Sequence, residues 1–125
     1  MRVAVIVGLL ASPSQAEPPI TASEFAAHVG NDTIVYQYTD EVGIADYGPN
    51  GSLVWRRKES FCVAGHWRQE GDALCFYFAN SEESHCWHFF LRGGKLEAVG
   101  TGRDHTRIRE VSRSDRPLDC AEVQL

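Results

Sequence analysis

The 125-residue chain predicts a mainly β fold, a small antiparallel meander barrel or curled sheet of seven to eight strands with one short N-terminal helix. Three observations carry this expectation. Runs of alternating apolar and polar residues, each of strand length, follow one another from Thr33 to Val111. They are separated by Pro49-Asn50-Gly51, Glu70-Gly71-Asp72 and Gly93-Gly94, residues that tolerate positive φ at a reversal. Loops this short make neighbours in sequence neighbours in space, so the edges of the meander must be closed or covered.

The first sixteen residues, "MRVAVIVGLLASPSQA", read as a secretory signal peptide: a positive charge at Arg2, an apolar run from Val3 to Leu10, and small residues ending in Ser14-Gln15-Ala16. The run is far short of the roughly 20 residues a membrane-spanning helix needs, so no stable membrane anchor is expected. Cleavage after Ala16 leaves a single β-rich domain, residues 17–125, with a periplasmic or secreted address. A Pro-Pro linker follows, then Thr21 or Ser23 caps a short helix that runs to Val29, with Glu24 in its first turn and Gly30-Asn31 ending it. His28 sits near the helix C-terminus, where the helix dipole favours it.

Strands are expected over Thr33 to Thr39, Ile44 to Tyr47, Ser52 to Arg57, Phe61 to Arg68, Ala73 to Ala79, His85 to Arg92, Lys95 to Val99 and Arg107 to Val111. A 43% hydrophobic and 23% charged composition gives the chain material for one small core. Its formal charge of −5, one more negative without Arg2, disfavours nucleic acid as a partner, since phosphate binding needs a basic face. Arg103, Arg107, Arg109, Arg113 and Arg116 recur near the C-terminus, but Asp104, Glu110 and Asp115 alternate with them and read as a self-compensating solvated face.

Four cysteines in an exported domain of this size point to disulfides. In "ALCFYFANSEESHCWHFF", pairing Cys75 with Cys86 across a hairpin opposes Leu74 to Trp87 and makes Ala79 to Glu82 the loop. The preceding hairpin, turning at Glu70-Gly71, opposes Trp67 to Leu74 and His66 to Cys75. Strand alternation then collects Val63, Trp67, Leu74, Phe76, Phe78, Trp87 and Phe89 on a core face. His66, Cys75, Tyr77, Cys86, His88 and Phe90 fall on the opposite, wetter face. Cys62 lies too far along its strand to reach Cys75 within the α-carbon limit of about 7 Å, which leaves Cys62 to join Cys120. By loop entropy the shorter bridge contributes about 3 kcal/mol and the longer about 4 kcal/mol.

The chemistry-bearing candidates are few. If the thiols were reduced, His66, Cys75, Cys86 and His88 would form a Cys2His2 set able to hold zinc or copper(I). With the thiols oxidised no cofactor is expected. Asp104, His105, Ser112 and Ser114 are residue types used in nucleophilic catalysis, yet they sit near a turn without nucleophile-elbow glycines. Glu82 and Glu83 are consecutive turn residues whose carboxylates diverge. No catalytic residue and no enzymatic activity are therefore expected. Trp55, Tyr36, Tyr38 and Tyr47 could line the mouth of an eight-stranded barrel with room for one small apolar ligand. The bulk of Trp67, Trp87 and the phenylalanines argues instead for a filled interior.

The order "TASEFAAHVGNDTIVY", "YGPNGSLVW", "GHWRQEGDALCFYF" and "HCWHFF" resembles the small exported alphaproteobacterial proteins of unknown function. The resemblance spans roughly Thr21 to Phe90 and is carried most specifically by Gly65, Trp67, Gly71, Asp72, Cys75, Cys86 and Trp87. It implies a periplasmic address and a β-rich fold, and it brings no catalytic residues. "GHWRQEGDALCF" is also similar to a run in the small periplasmic inhibitors of secreted metallopeptidases, which are eight-stranded barrels with one disulfide; here the cysteine number and positions differ. That likeness implies that the arm Glu17-Pro18-Pro19-Ile20 enters a protease cleft. The expectation is a non-enzymatic exported binding or envelope-associated barrel whose partner is an unknown protein or a small apolar ligand. A periplasmic peptidase or lysozyme inhibitor and a Cys/His metal binder are the alternatives.

Overall fold

Thr21 starts the only α-helix of the described residues, α1 (Ala22–Val29), through a reciprocal cap. Its side chain accepts from the Glu24 amide at 3.2 Å while the Glu24 carboxylate accepts from the Thr21 amide at 3.1 Å. Gly30, at φ +53°, ends the helix in a conformation a side chain would resist. The computed structural model describes residues 17–58 and 60–125, so the expected signal peptide lies outside the described residues.

The alternating runs become β1 (Thr33–Gln37), β2 (Val42–Tyr47), β3 (Ser52–Arg57), β4 (Cys62–Glu70), β5 (Ala73–Phe78), β6 (His85–Arg92), β7 (Lys95–Gly100) and β8 (Arg107–Ser114). Each pairs antiparallel with the next, β3 with β4 included, and β8 returns to β1, so the eight strands close into a barrel as the meander predicts. A ninth strand, β9 (Val123–Gln124), runs parallel to the start of β4. Sequence reading misses it because two residues carry no period; the Cys62–Cys120 bond holds the tail in position.

Closure gives the barrel an inside. Ile34, Tyr36, Ala45, Tyr47, Leu53, Leu74, Phe76, Phe89, Leu96, Ala98 and Ile108 point inward and are buried. The α1 helix lies across one end, where Phe25 and Val29 are fully enclosed. The extended arm before it is docked as well: Ile20 is buried and donates its amide to the Phe89 carbonyl at 2.8 Å, and Glu17 pairs with Arg92.

Three expectations need correction. The β4–β5 hairpin turns at Gly71-Asp72, not Glu70-Gly71, so Trp67 opposes Phe76, His66 opposes Tyr77 and Arg68 opposes Cys75. Gly71, at φ +62°, takes the positive-φ position of this two-residue turn. The slip is by two residues, so the faces are unchanged. Second, the β5–β6 connection is longer than Ala79 to Glu82. Phe78 stays paired with Gly65 and Ala79 donates to the Ala64 carbonyl, which draws β5 away from β6 beyond Phe76–His85. Third, the outward face does not leave every cysteine wet: Cys75 is 2% and Cys62 3% exposed, while their partners Cys86 and Cys120 are half-buried.

Candidate functional site

The barrel is filled at one end and hollow at the other. At the α1 end Phe25 meets Phe89, Trp67 and Tyr47 with ring centroids 4.7, 4.9 and 5.6 Å away. Above this plug lies a cavity of about 650 Å³ that opens at the far end, near the β5–β6 connection. Tyr36, Tyr38, Tyr47 and Trp55, the four residues singled out in the sequence, all line it. The expected filled interior therefore describes the helix end only.

The walls follow from strand alternation. Leu53 and Trp55 from β3, Phe76 and Phe78 from β5, Trp87 and Phe89 from β6, and Ile108 from β8 present apolar surface to the cavity. Near the mouth four rings form an arc: Phe78 to Trp55 at 6.2 Å, Trp55 to Tyr38 at 6.4 Å, and Tyr38 to Trp87 at 6.5 Å. Trp55 can lie flat because β2 has Gly43 beneath it; a Cβ there would come within 2.1 Å of the indole. Polar groups ring the opening, among them Asn80, Ser81, His85, Asp104 and Thr106, and the 70% exposed Phe61 stands beside them.

The floor carries the site's buried polar groups. The hydroxyls of Tyr36 and Tyr47, residues 2% and 3% exposed, lie 2.8 Å apart. Burial pushes both phenols above their ordinary range, and the nearby Glu110 carboxylate pushes in the same direction. Tyr38, nearer the mouth, is raised to about 12, again chiefly by burial. All three are neutral hydrogen-bond donors at physiological pH.

Glu110 itself is the residue that sequence reading misplaces. It is 4% exposed and points into the barrel beside Tyr36, not outward on a solvated arginine face. It lies two residues from the buried Ile108, so strand alternation carries both side chains inward, and the register shift against Val35 and Tyr36 falls beyond it, at Val111. The carboxylate meets His28 Nε2 at 2.8 Å and accepts from the Leu96 amide at 3.0 Å. His28 is thus a partner of the barrel wall as well as a C-terminal helix residue. Arg113 completes the seam, donating to the His28 carbonyl at 2.6 Å and pairing with Asp32 at 2.9 Å. A buried carboxylate among exposed arginines carries no signal in composition; the signal that could have found it is its two-residue spacing from Ile108.

The other candidates are dispersed. Cys75 is bonded to Cys86 and Cys62 to Cys120, with α-carbons 3.9 and 6.0 Å apart. The sulfurs of Cys75 and Cys86 are therefore not thiolate ligands. The oxygen donor that gathers with them is Glu70, whereas His66 stacks on Tyr77 and His88 bonds Asp72 at 2.9 Å. The four-residue metal set is thus replaced by a disulfide with its histidines engaged elsewhere. Asp104 accepts from Thr106 Oγ1 at 2.7 Å, which holds its carboxyl below the usual range, and Ser114 accepts from the Arg116 amide. Asp104, His105, Ser112 and Ser114 form no hydrogen-bonded relay among the described residues. Arg107 and Arg109 line a shallow outer groove with Glu97, consistent with charge compensation there.

Fold and site together define a class: a closed eight-stranded antiparallel barrel, plugged by a helix at one end, with an aromatic cavity open at the other. No family model, curated protein or solved structure matches the chain. Two disulfides fit an oxidising, non-cytoplasmic compartment, and no helix of the described residues is long and apolar enough to cross a membrane.

Proposed function

We propose that this chain is an exported, non-enzymatic barrel, periplasmic or secreted, that binds one small, largely apolar ligand in its aromatic cavity. The observation that carries this reading is the cavity of about 650 Å³ lined by Tyr36, Tyr38, Tyr47 and Trp55. Its volume lies within the roughly 300–1,000 Å³ range of small-molecule sites, and its apolar wall with a few convergent polar groups matches their make-up. Burying an apolar ligand there supplies the driving force, about 25 cal/mol for each Å² removed from water.

The inhibitor reading has less support, because the Glu17-Pro18-Pro19-Ile20 arm that it needs lies against the barrel through Ile20 and Glu17. The metal reading requires reduced thiols and is left with separated histidines.

The test is titration of the oxidised protein with N-phenylnaphthylamine, an apolar fluorophore that brightens on leaving water. Saturable binding at one site, weakened in Trp55→Ala, is expected. A linear, non-saturating response would remove the reading. Parallel assays against a periplasmic metallopeptidase and lysozyme should show no loss of their activity.

A further inference from the structure

We infer that the cavity selects a neutral, flat ligand with a hydrogen-bond acceptor at one end, seated on the Tyr36–Tyr47 hydroxyl pair. The inference rests on the ligand-binding reading and adds the chemistry of the ligand. Two phenols bring two O–H hydrogens, but their mutual contact at 2.8 Å uses only one. Whichever tyrosine accepts that bond keeps its own hydrogen, and among the described residues neither hydroxyl has another protein partner. Both hydroxyls belong to buried residues lining the cavity, so the spare donor is directed to whatever occupies it. A buried donor left unmade is costly, and a ligand oxygen placed there satisfies it.

The surroundings restrict that oxygen. Glu110 lies beside Tyr36 with its carboxylate held by His28 and Leu96. His28 and Arg113, the latter 3.9 Å away, are already engaged with this carboxylate, so an anionic ligand group on the tyrosine pair would add a second negative charge in a poorly solvated place with no cation of its own there. The acceptor is therefore a carbonyl, ether or hydroxyl oxygen, not a carboxylate. The ring faces and edges of Trp55, Phe76, Phe78 and Trp87 favour a flat body over a branched one.

Three matched probes test this: naphthalene, which has no acceptor; acetylnaphthalene, with a neutral carbonyl; and naphthoate, an anion of similar shape. Binding to the oxidised full chain is followed by tryptophan fluorescence, in wild type and in Tyr36→Phe/Tyr47→Phe. Removing both hydroxyls leaves no widowed partner, so the double variant is built to keep its fold. Acetylnaphthalene is expected to bind about fivefold to tenfold tighter than naphthalene in wild type, the range of one net hydrogen bond. Naphthoate should bind more weakly than either. In the double variant the acetyl preference should vanish while naphthalene affinity stays within about twofold. Naphthalene binding with no acetyl preference, a preference that persists in the folded double variant, or naphthoate binding tightest would each overturn the inference while leaving a ligand-binding barrel. If none of the three probes binds, the underlying reading fails too. Should the double variant not fold, the wild-type ranking of the three probes decides.

Discussion

At the scale of single residues, the cavity depends on a glycine. Gly43 lets the Trp55 indole lie against β2, and a methyl group there would overlap the ring. Gly43→Ala should therefore push the indole into the cavity, weaken N-phenylnaphthylamine binding and destabilise the fold by about 1–3 kcal/mol, as overpacking does. Urea denaturation beside the binding titration checks both effects. The tyrosines give a pH signature. Tyr38 ionises near pH 12 in the folded chain against 10.0 for a free phenol, and Tyr36 and Tyr47 shift the same way. A raised folded pKa means that the stabilisation from keeping these phenols protonated is complete below pH 10. It is lost as pH climbs from there through the folded values. In a phenolate absorbance titration these three side chains should remain un-ionised at pH 10 and ionise only as the barrel opens. Full ionisation of every tyrosine by that pH would contradict their burial.

At the scale of elements, α1 is held chiefly by the Phe25 ring, with Val29 beside it, and by a polar seam. Phe25 fills the barrel end and is completely buried, so Phe25→Ala should cost about 3–5 kcal/mol, measurable by thermal or urea unfolding. The seam runs from Glu110 through His28 to Arg113 and Asp32. His28→Ala deprives the buried carboxylate of a partner and should cost about 1–3 kcal/mol. A double-mutant cycle with Glu110→Gln should return a coupling of at least about 0.5 kcal/mol, and strict additivity would show that the two do not interact. The elements themselves were legible in the sequence. Alternation located all eight barrel strands, Thr21 or Ser23 with Glu24 marked the helix start, of which Thr21 is the cap, and Gly30-Asn31 its end. Illegible was the burial of Glu110: alternation with Ile108 puts it on the inward face, but the His28 ring and Leu96 amide that hold its carboxylate are brought there only by the tertiary fold.

For the whole molecule, closure and covalent fastening are separate devices. The eight strands close without the tail, which crosses the outside on three polar contacts before reaching Cys120. Thr33 donates to the Arg116 carbonyl, the Leu118 amide donates to Asp46, and Arg56 donates to the Asp119 carbonyl. Cys62→Ser/Cys120→Ser should therefore release β9 and lower stability by about 2–4 kcal/mol while the barrel's far-ultraviolet signature persists. Thermal denaturation followed by circular dichroism reads both. The disulfide pairing could be reasoned from strand geometry despite a hairpin register misjudged by two residues, because such a slip preserves which face a side chain occupies. The candidate site was half legible. Four of its aromatic lining residues were nameable, but the hollow itself depends on where the bulk of Phe25 is placed. Only the position of α1 decides that the plug fills one end and leaves the other empty.

A vessel sealed at its base has one doorway. On the proposed reading, a guest that enters past Phe61 and the β5–β6 connection must leave the same way, so arrival and departure pass over one barrier. Changes confined to the doorway should then speed or slow both directions by a common factor and leave the equilibrium untouched. Changes at the tyrosine floor should act on residence time alone. Stopped-flow traces of a Phe61→Ala variant, compared with those of the tyrosine double variant, would separate the gate from the seat.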